Sequence, residues 1–478
     1  MVQENQDIKK NSLISLFSLF FQSGYAAILG LVANLILTIV LSPKIYGIYI
    51  LTLAIIPFLN FFSDIGLGAA LVQKKEVTDK DIKTTFTIQQ ILVIGIVSLA
   101  FLLTPFIRNF YNLPNEATYL YWAVLFSFFL SSLKTIPAIK LERNVQFQKI
   151  VLVQIVENTV FYIAVSILAI LNFGLATFTY AILIRSSIGV ILMYSLSFWL
   201  PKFGIYKESI KSLLRFGVPF QLNIFLALLK DDLVLFYLGR VVGLEGLAYI
   251  GWAKRWAEAP IRIVMDNISK VLFPVFSRIQ ENKEGIGRLI EKVLRYQTMV
   301  LAPLFMGAVM LLDEVVNLIP KYNKWEPAMP LFYIFVISAF LSSYSSPFTN
   351  LFNSVGKIKT TLYFMIYWTV MTWISVPLFT HFFGLYGFPI SLVILSLSFV
   401  VIVPLARKIV SFNFLSNIKP YFLASIIMGV AVYFSTLIGV NWISFSISVA
   451  TGIATYTLAL KIFFKINIIH QVKTFFKT

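Results

Sequence analysis

The residues with the greatest chemical capacity crowd into one short stretch. Lys230, Asp231 and Asp232 stand together, and Lys254, Arg255, Glu258, Arg262 and Asp266 follow within 35 positions. From Arg255 to Asp266 the spacings are 3, 4 and 4 residues. At about 3.6 residues per turn these four side chains fall on one helical face. Signs alternate along that face, so each charge has an opposite neighbour one turn away, and Lys270 continues the series. Lys254, Arg255 and Arg262 are candidates for binding phosphate oxygens, because a guanidinium offers a planar fork that matches them. Asp231, Asp232, Glu258 and Asp266 are candidates for a coupling proton or sodium ion, or for holding the arginines in place. The competing reading is an ion-pair ladder that supports structure and touches no substrate.

Other ionisable groups are scattered through apolar sequence. Arg185 is a further phosphate candidate, and Gln22, Asn34, Gln221 and Asn223 are polar candidates for lining a cavity or for hydrogen-bonding between helices. Asp64 and Glu157 read as structural or interfacial charges, and Lys134, near a helix end, as a snorkelling one. The two histidines, His381 and His470, are far apart, and there is no cysteine. No metal site or cofactor is expected from such a set. There is no Gly-rich loop with a phosphate-binding Lys and no catalytic constellation, so the chain reads as a transporter and not an enzyme.

The elements that carry these residues are apolar. Hydrophobic residues make up 59% of 478 and charged residues 13%, against about 25% charged in a soluble domain. A membrane-spanning helix needs about 20 mostly apolar residues. Fourteen segments meet that pattern: 12–40, 47–72, 84–107, 117–138, 150–171, 175–199, 213–238, 247–276, 290–312, 328–352, 360–382, 385–406, 420–439 and 442–464. The runs are continuous with no sustained alternation, so an all-α integral membrane protein is expected. The first run is too long for a signal peptide and reads as a retained helix. Pro57, Pro219, Pro260 and Pro377 fall inside these runs and should kink them.

Loop charge orients the bundle. With the N-terminus cytoplasmic, 27 of the 39 Lys and Arg fall in cytoplasmic segments. Only Lys44, Arg108, Arg240, Lys321 and Lys324 fall in loops on the other side. That bias follows the positive-inside rule and puts both termini in the cytoplasm, in the inner membrane of a cell. The net charge of +18 therefore points to anionic membrane lipids and not to nucleic acid. The stretches LSPKIYGIYIL (41–51) and VGLEGLAYIGW (242–252) both join two helices through a short loop with a Gly, about 200 residues apart. They suggest a parallel repeat with lobes at 1–200 and 201–410, followed by two extra helices and a tail at 411–478.

Several stretches carry a resemblance to a known family. They are LSPKIYGIYIL (41–51), SDIGLGAALVQKKEV (63–77), KLERNVQFQKI (140–150), DDLVLFYLGRVVGLEGLAYIGWAKRWAEAP (231–260), KVLFPVFSRI (270–279), KWEPAMPLF (324–332) and LFNSVGKIK (351–359). In order and spacing the chain resembles the polysaccharide transport branch, the Wzx-type flippases, of the multidrug/oligosaccharidyl-lipid/polysaccharide exporter superfamily. The resemblance implies two six-helix lobes around a central cavity plus two helices. It implies alternating access that flips an undecaprenyl-pyrophosphate-linked oligosaccharide for cell-surface polysaccharide, alongside other polysaccharide-assembly membrane proteins. It implies that Lys254, Arg255 and Arg262 engage the pyrophosphate, although the first lobe offers only Arg185 well inside a helix. An ion-coupled multidrug or small-molecule exporter of the same superfamily is the alternative. A membrane polymerase or ligase is a third reading, disfavoured by the short outside loops.

Overall fold

The structure, a computed structural model, describes residues 2–467; the side chains of 2–17, 19–20, 215–216, 218–220, 222–224, 266–267 and 270–271 lie outside the described residues. Among the described residues every regular element is helical. Two compact units divide the chain, Met1–Ala248 and Tyr249–Thr478.

The first unit holds α1 (Val2–Val40), α2 (Pro43–Leu53), α3 (Ile55–Asp64), α4 (Leu67–Gln73), α5 (Asp79–Leu102), α6 (Thr104–Phe110), α7 (Asn115–Leu133), α8 (Thr135–Arg143), α9 (Phe147–Ile170), α10 (Ala176–Leu196), α11 (Lys207–Asp231) and α12 (Leu233–Val241). Helix α13 (Gly243–Arg278) begins in this unit and continues into the second. The second unit adds α14 (Lys283–Leu318), α15 (Met329–Ser343), α16 (Ser345–Ser354), α17 (Ile358–Phe383), α18 (Gly387–Ser396), α19 (Phe399–Arg407), α20 (Phe414–Thr436) and α21 (Trp442–Phe463).

Proline explains where several spans break. It lacks an N–H and its ring clashes with the carbonyl four residues back. Helices α2, α7 and α15 end at Leu53, Leu133 and Ser343, and Pro57, Pro137 and Pro347 stand four residues later. The α7–α8 pair is bent by 40° at its break. Pro57 thus acts as expected, whereas Pro260 and Pro377 lie within the continuous helices α13 and α17. Pro219 is among the side chains outside the described residues. Between α3 and α4 the backbone turns through left-handed Ile65 and Gly66, with φ of 37° and 76°. A Cβ at Gly66 would stand 2.3 Å from the Gly217 carbonyl oxygen, so the close approach of α11 requires glycine there.

Among the described residues ten helical stretches are long and apolar enough to cross a membrane, or eleven if α7 and α8 form one span. Fourteen were expected. The seventh and eighth segments are helical, as α11–α12 and α13, but both include side chains outside the described residues, to which that tally is confined. The eleventh and twelfth fall in one stretch, Ile358–Arg407. A short 3-10 turn at Gly384–Tyr386 divides it, and α18 folds back on α17 with Gly387 against the Thr380 backbone.

Each unit has its own core. In the first, Leu37, Ile48, Val124, Phe161 and Phe178 are buried together. In the second, Phe276, Ile290, Phe348, Phe352 and Ile402 form one cluster. Helices α20 and α21 pack on α14, where Tyr456 Oη donates to the Met299 carbonyl at 2.8 Å. The outward faces stay apolar: Leu102, Tyr363, Phe434 and Ile443 are all exposed. So continuous an apolar surface belongs in lipid and not in water.

Candidate functional site

Two charged groupings stand out at helix depth, one in each unit. The first lies on α13. Its 36 residues, at about 1.5 Å each, exceed the ~30 Å hydrocarbon thickness, so Arg262 falls near the middle of a long rod. Glu258 is bracketed by two cations, with Lys254 Nζ at 3.7 Å one turn before and Arg262 at 3.1 Å one turn after. Lys254 Nζ also lies 5.7 Å from the centre of the Phe388 ring. Arg262 is the most open of the three, with its side chain 57% exposed. Arg255 is half-buried beside Lys254. Asp266, the last of the expected face, lies outside the described residues, as does the Lys270 side chain. Both pairs are i,i+4 contacts, and one of them takes in Lys254, which was expected only to flank the charged face.

In the first unit, Asp231 pairs with its neighbour Lys230 at 2.5 Å. Asp232 occupies the break between α11 and α12, and its N–H donates to the Leu228 carbonyl. Arg185 lies on α10 with its guanidinium 5.5 Å from the centre of the Phe161 ring. Gln22 donates to Gln154 Oε1 at 2.8 Å, tying α1 to α9. Asn34 is buried and accepts from the Tyr46 hydroxyl at 2.6 Å. Gln221 donates to the Phe61 carbonyl at 2.8 Å, at the C-terminal end of α3. Asn223 lies outside the described residues.

The second grouping was not anticipated as a site. A cavity of about 630 Å³ opens inside the first unit, under α4, α7, α8 and α9. Asp64, Glu142 and Glu157 face it with Lys134, Ser131 and Gln154. A neighbouring cavity of about 400 Å³ shares Asp64, Ser131 and Thr135 and adds Gln89 and Gln221. Glu157 is buried and ion-paired with Lys134. Lys134 therefore points at a partner within the unit instead of snorkelling to the interface. Glu157 lies flat against Gly189 of α10, where a Cβ would come within 1.5 Å of its carboxylate oxygen. Arg143 is turned away and hydrogen-bonds the carbonyls of Leu71, Val72 and Lys74, capping α4. The cavity thus holds three carboxylates against one ammonium group. Its sequence signal is faint, since each helix contributes only one or two polar residues.

Two comparisons by sequence and one by shape place this arrangement among known proteins. The chain is 22% identical over 311 residues to the teichuronic acid biosynthesis protein TuaB of Bacillus subtilis (strain 168), covering 64% of this chain and 63% of TuaB. It is 21% identical over 322 residues to the succinoglycan biosynthesis transport protein ExoT of Rhizobium meliloti (strain 1021), covering 67% of this chain and 65% of ExoT. The match thus spans just under two thirds of the length of either relative. A solved structure of the lipid II flippase MurJ, in an inward closed conformation, superposes with a TM-score of 0.76 at 18% identity, covering 95% of this chain and 99% of MurJ. At that identity the likeness shows the fold. A family model described as polysaccharide biosynthesis protein matches residues 36–330, more than half of the chain, and so this membrane protein belongs to the polysaccharide biosynthesis protein family.

Proposed function

We propose that this protein is a flippase that moves a lipid-linked oligosaccharide across the cytoplasmic membrane for cell-surface polysaccharide. The observation that carries the reading is the membership of a polysaccharide biosynthesis family in a chain that takes the fold of a lipid-linked-substrate flippase over nearly its whole length. A large amphiphile of this kind has a lipid tail that stays in the bilayer and a charged headgroup that must avoid it. The undecaprenyl-pyrophosphate class fits that description. Its pyrophosphate needs cations at helix depth, and Lys254, Arg255, Arg262 and Arg185 supply them. Arg262 keeps more than half of its side chain open beyond its pair with Glu258, and a charge so open at helix depth favours a water-lined or substrate-lined face over hydrocarbon.

Access to the polar path would alternate between the two sides of the membrane, with both termini cytoplasmic, an orientation that the bias of loop charge supports. Asp231, Asp232, Glu258 and Asp266 would set the cations in place or carry a coupling ion. The six-helix lobes 1–200 and 201–410, with 411–478 appended, are the units we assign to this cycle. Replacing Arg255 or Arg262 by alanine is expected to abolish translocation while leaving expression and membrane insertion intact. Wild-type translocation in both variants would remove these cations from the substrate path.

A further inference from the structure

We propose that the segment 197–206, which joins α10 to α11, is an interfacial strap that binds anionic phospholipid of the cytoplasmic leaflet, a role separate from the transported molecule that rests on the orientation supported by loop charge. The outward side chains are the first reason. The segment carries no helix, and successive side chains turn to opposite sides, as in extended chain. Trp199 is buried, while Phe198, Leu200, Phe203 and Ile205 are between 56% and 72% exposed. Lys202 and Lys207, both exposed, are interleaved with them. Large apolar groups set among lysines suit neither open water nor the bilayer centre. They suit the boundary, where apolar groups enter the acyl layer and ammonium groups meet phosphates.

The backbone is the second. Irregular chain at the edge of a bilayer needs partners for its N–H groups, because acyl chains offer none. Two threonines of α5 supply them: Thr87 Oγ1 accepts the Gly204 N–H at 2.9 Å, and Thr84 Oγ1 accepts the Tyr206 N–H at 3.2 Å. Ser197 Oγ donates to the Pro137 carbonyl at 3.1 Å. The rings of Trp199 and Phe203 close on Phe86, with centres 4.8 and 5.5 Å away. Thr87 stands eight residues after Asp79, the first residue of α5. At about 1.5 Å per residue, the pinned part of the strap lies within some 12 Å of the cytoplasmic end of that helix. The strap is therefore held at a fixed depth, against protein on one side and open on the other.

The charge is the third. Lys140 Nζ lies 5.9 Å from the centre of the Trp199 ring, and Lys80 Nζ lies 5.4 Å from that of Tyr206. With Lys202 and Lys207 they set four ammonium groups along the strap, against the exposed carboxylates Asp79 and Glu208. Asp81, the next acid of α5, is buried and paired with Lys74. The excess of positive charge fits a headgroup with a net negative charge and gives a zwitterionic one little advantage. Each lysine near an anionic leaflet strengthens the attraction about fivefold.

The chain has no cysteine, so a single introduced one can report on the strap in the full-length protein. Phe198→Cys and Leu200→Cys are labelled with bimane in lipid nanodiscs, with Ile443→Cys, exposed on α21, as the reference site. Brominated phosphatidylglycerol or brominated phosphatidylcholine, at equal mole fraction, quenches from within the bilayer, and a neutral water-soluble nitroxide quenches from outside. The strap labels should be quenched by bromolipid and little by the nitroxide. Four lysines against two acids leave two net charges, so phosphatidylglycerol should be preferred by up to about 25-fold at low salt. The preference should fade at high salt and be absent at the reference site. Lys202→Gln with Lys207→Gln should bring it close to one, and Lys202→Gln alone should lower it about fivefold if the double variant does not fold. Strong quenching by the nitroxide, the mark of a face turned to water or to a soluble partner, would overturn the proposal. So would equal quenching by the two lipids, or an undiminished preference in the lysine variants.

Discussion

At the scale of single residues, the sharpest case is Glu157. A carboxylate so deep in a helical unit is costly unless it is paired, and Lys134, at the break between α7 and α8, supplies the partner. The pair fits because Gly189 has no side chain to compete for the space. Gly189→Ala is expected to push Glu157 out and strand Lys134, at a cost of about 3–5 kcal/mol. The change should appear as a clearly lowered thermal midpoint with a normal helical circular-dichroism spectrum in the cold. Removing both charges together, as Lys134→Met with Glu157→Leu, should recover much of that loss, since a buried pair replaced by apolar groups of similar size is often near neutral. An unchanged midpoint in Gly189→Ala would show that the carboxylate has room elsewhere.

At the scale of elements, glycine and proline decide where helices stop. Gly66 supplies a left-handed turn and lets α11 approach, so Gly66→Ala meets both a strained φ and the Gly217 carbonyl. Its cost is expected to be about 1–3 kcal/mol or more. Gly95 is the contrast, a helical glycine in α5 with open space around it, and Gly95→Ala should stabilise by about 0.5–1 kcal/mol. Thermal midpoints of the two variants should therefore move in opposite directions. The helices themselves were legible in the sequence, because long apolar runs leave little else possible. The expected face ran from Arg255 through Glu258 and Arg262 to Asp266; its Glu258–Arg262 step is seen as an ion pair, while Lys254, expected only to flank it, also pairs with Glu258. The breaks after Leu133 and Ser343 were readable in principle from Pro137 and Pro347. The cavity of the first unit was not. Asp64, Gln89, Lys134 and Glu157 come from helices separated by tens of residues, and no local pattern joins them. In α13 four charges fall between Lys254 and Arg262, which is why a tally of apolar runs is the weakest part of such a reading: a polar face interrupts the apolar run.

At the scale of the whole molecule, an apolar exterior, a strong bias of loop charge and polar interiors in separate units accord with the proposed passage of a charged headgroup through lipid. Its family is one of polysaccharide biosynthesis proteins, and its fold is shared with a solved lipid II flippase. The central claim is translocation, and its most direct measurement is sidedness. Purified protein is reconstituted into liposomes with a fluorescent undecaprenyl-pyrophosphate-linked oligosaccharide, and the fraction of headgroups accessible to an external quencher is followed over time. The account predicts a protein-dependent movement of headgroups between leaflets that empty liposomes and the Arg262→Ala protein do not support. Identical sidedness in protein-containing and empty liposomes, with and without proton or sodium gradients, would contradict it.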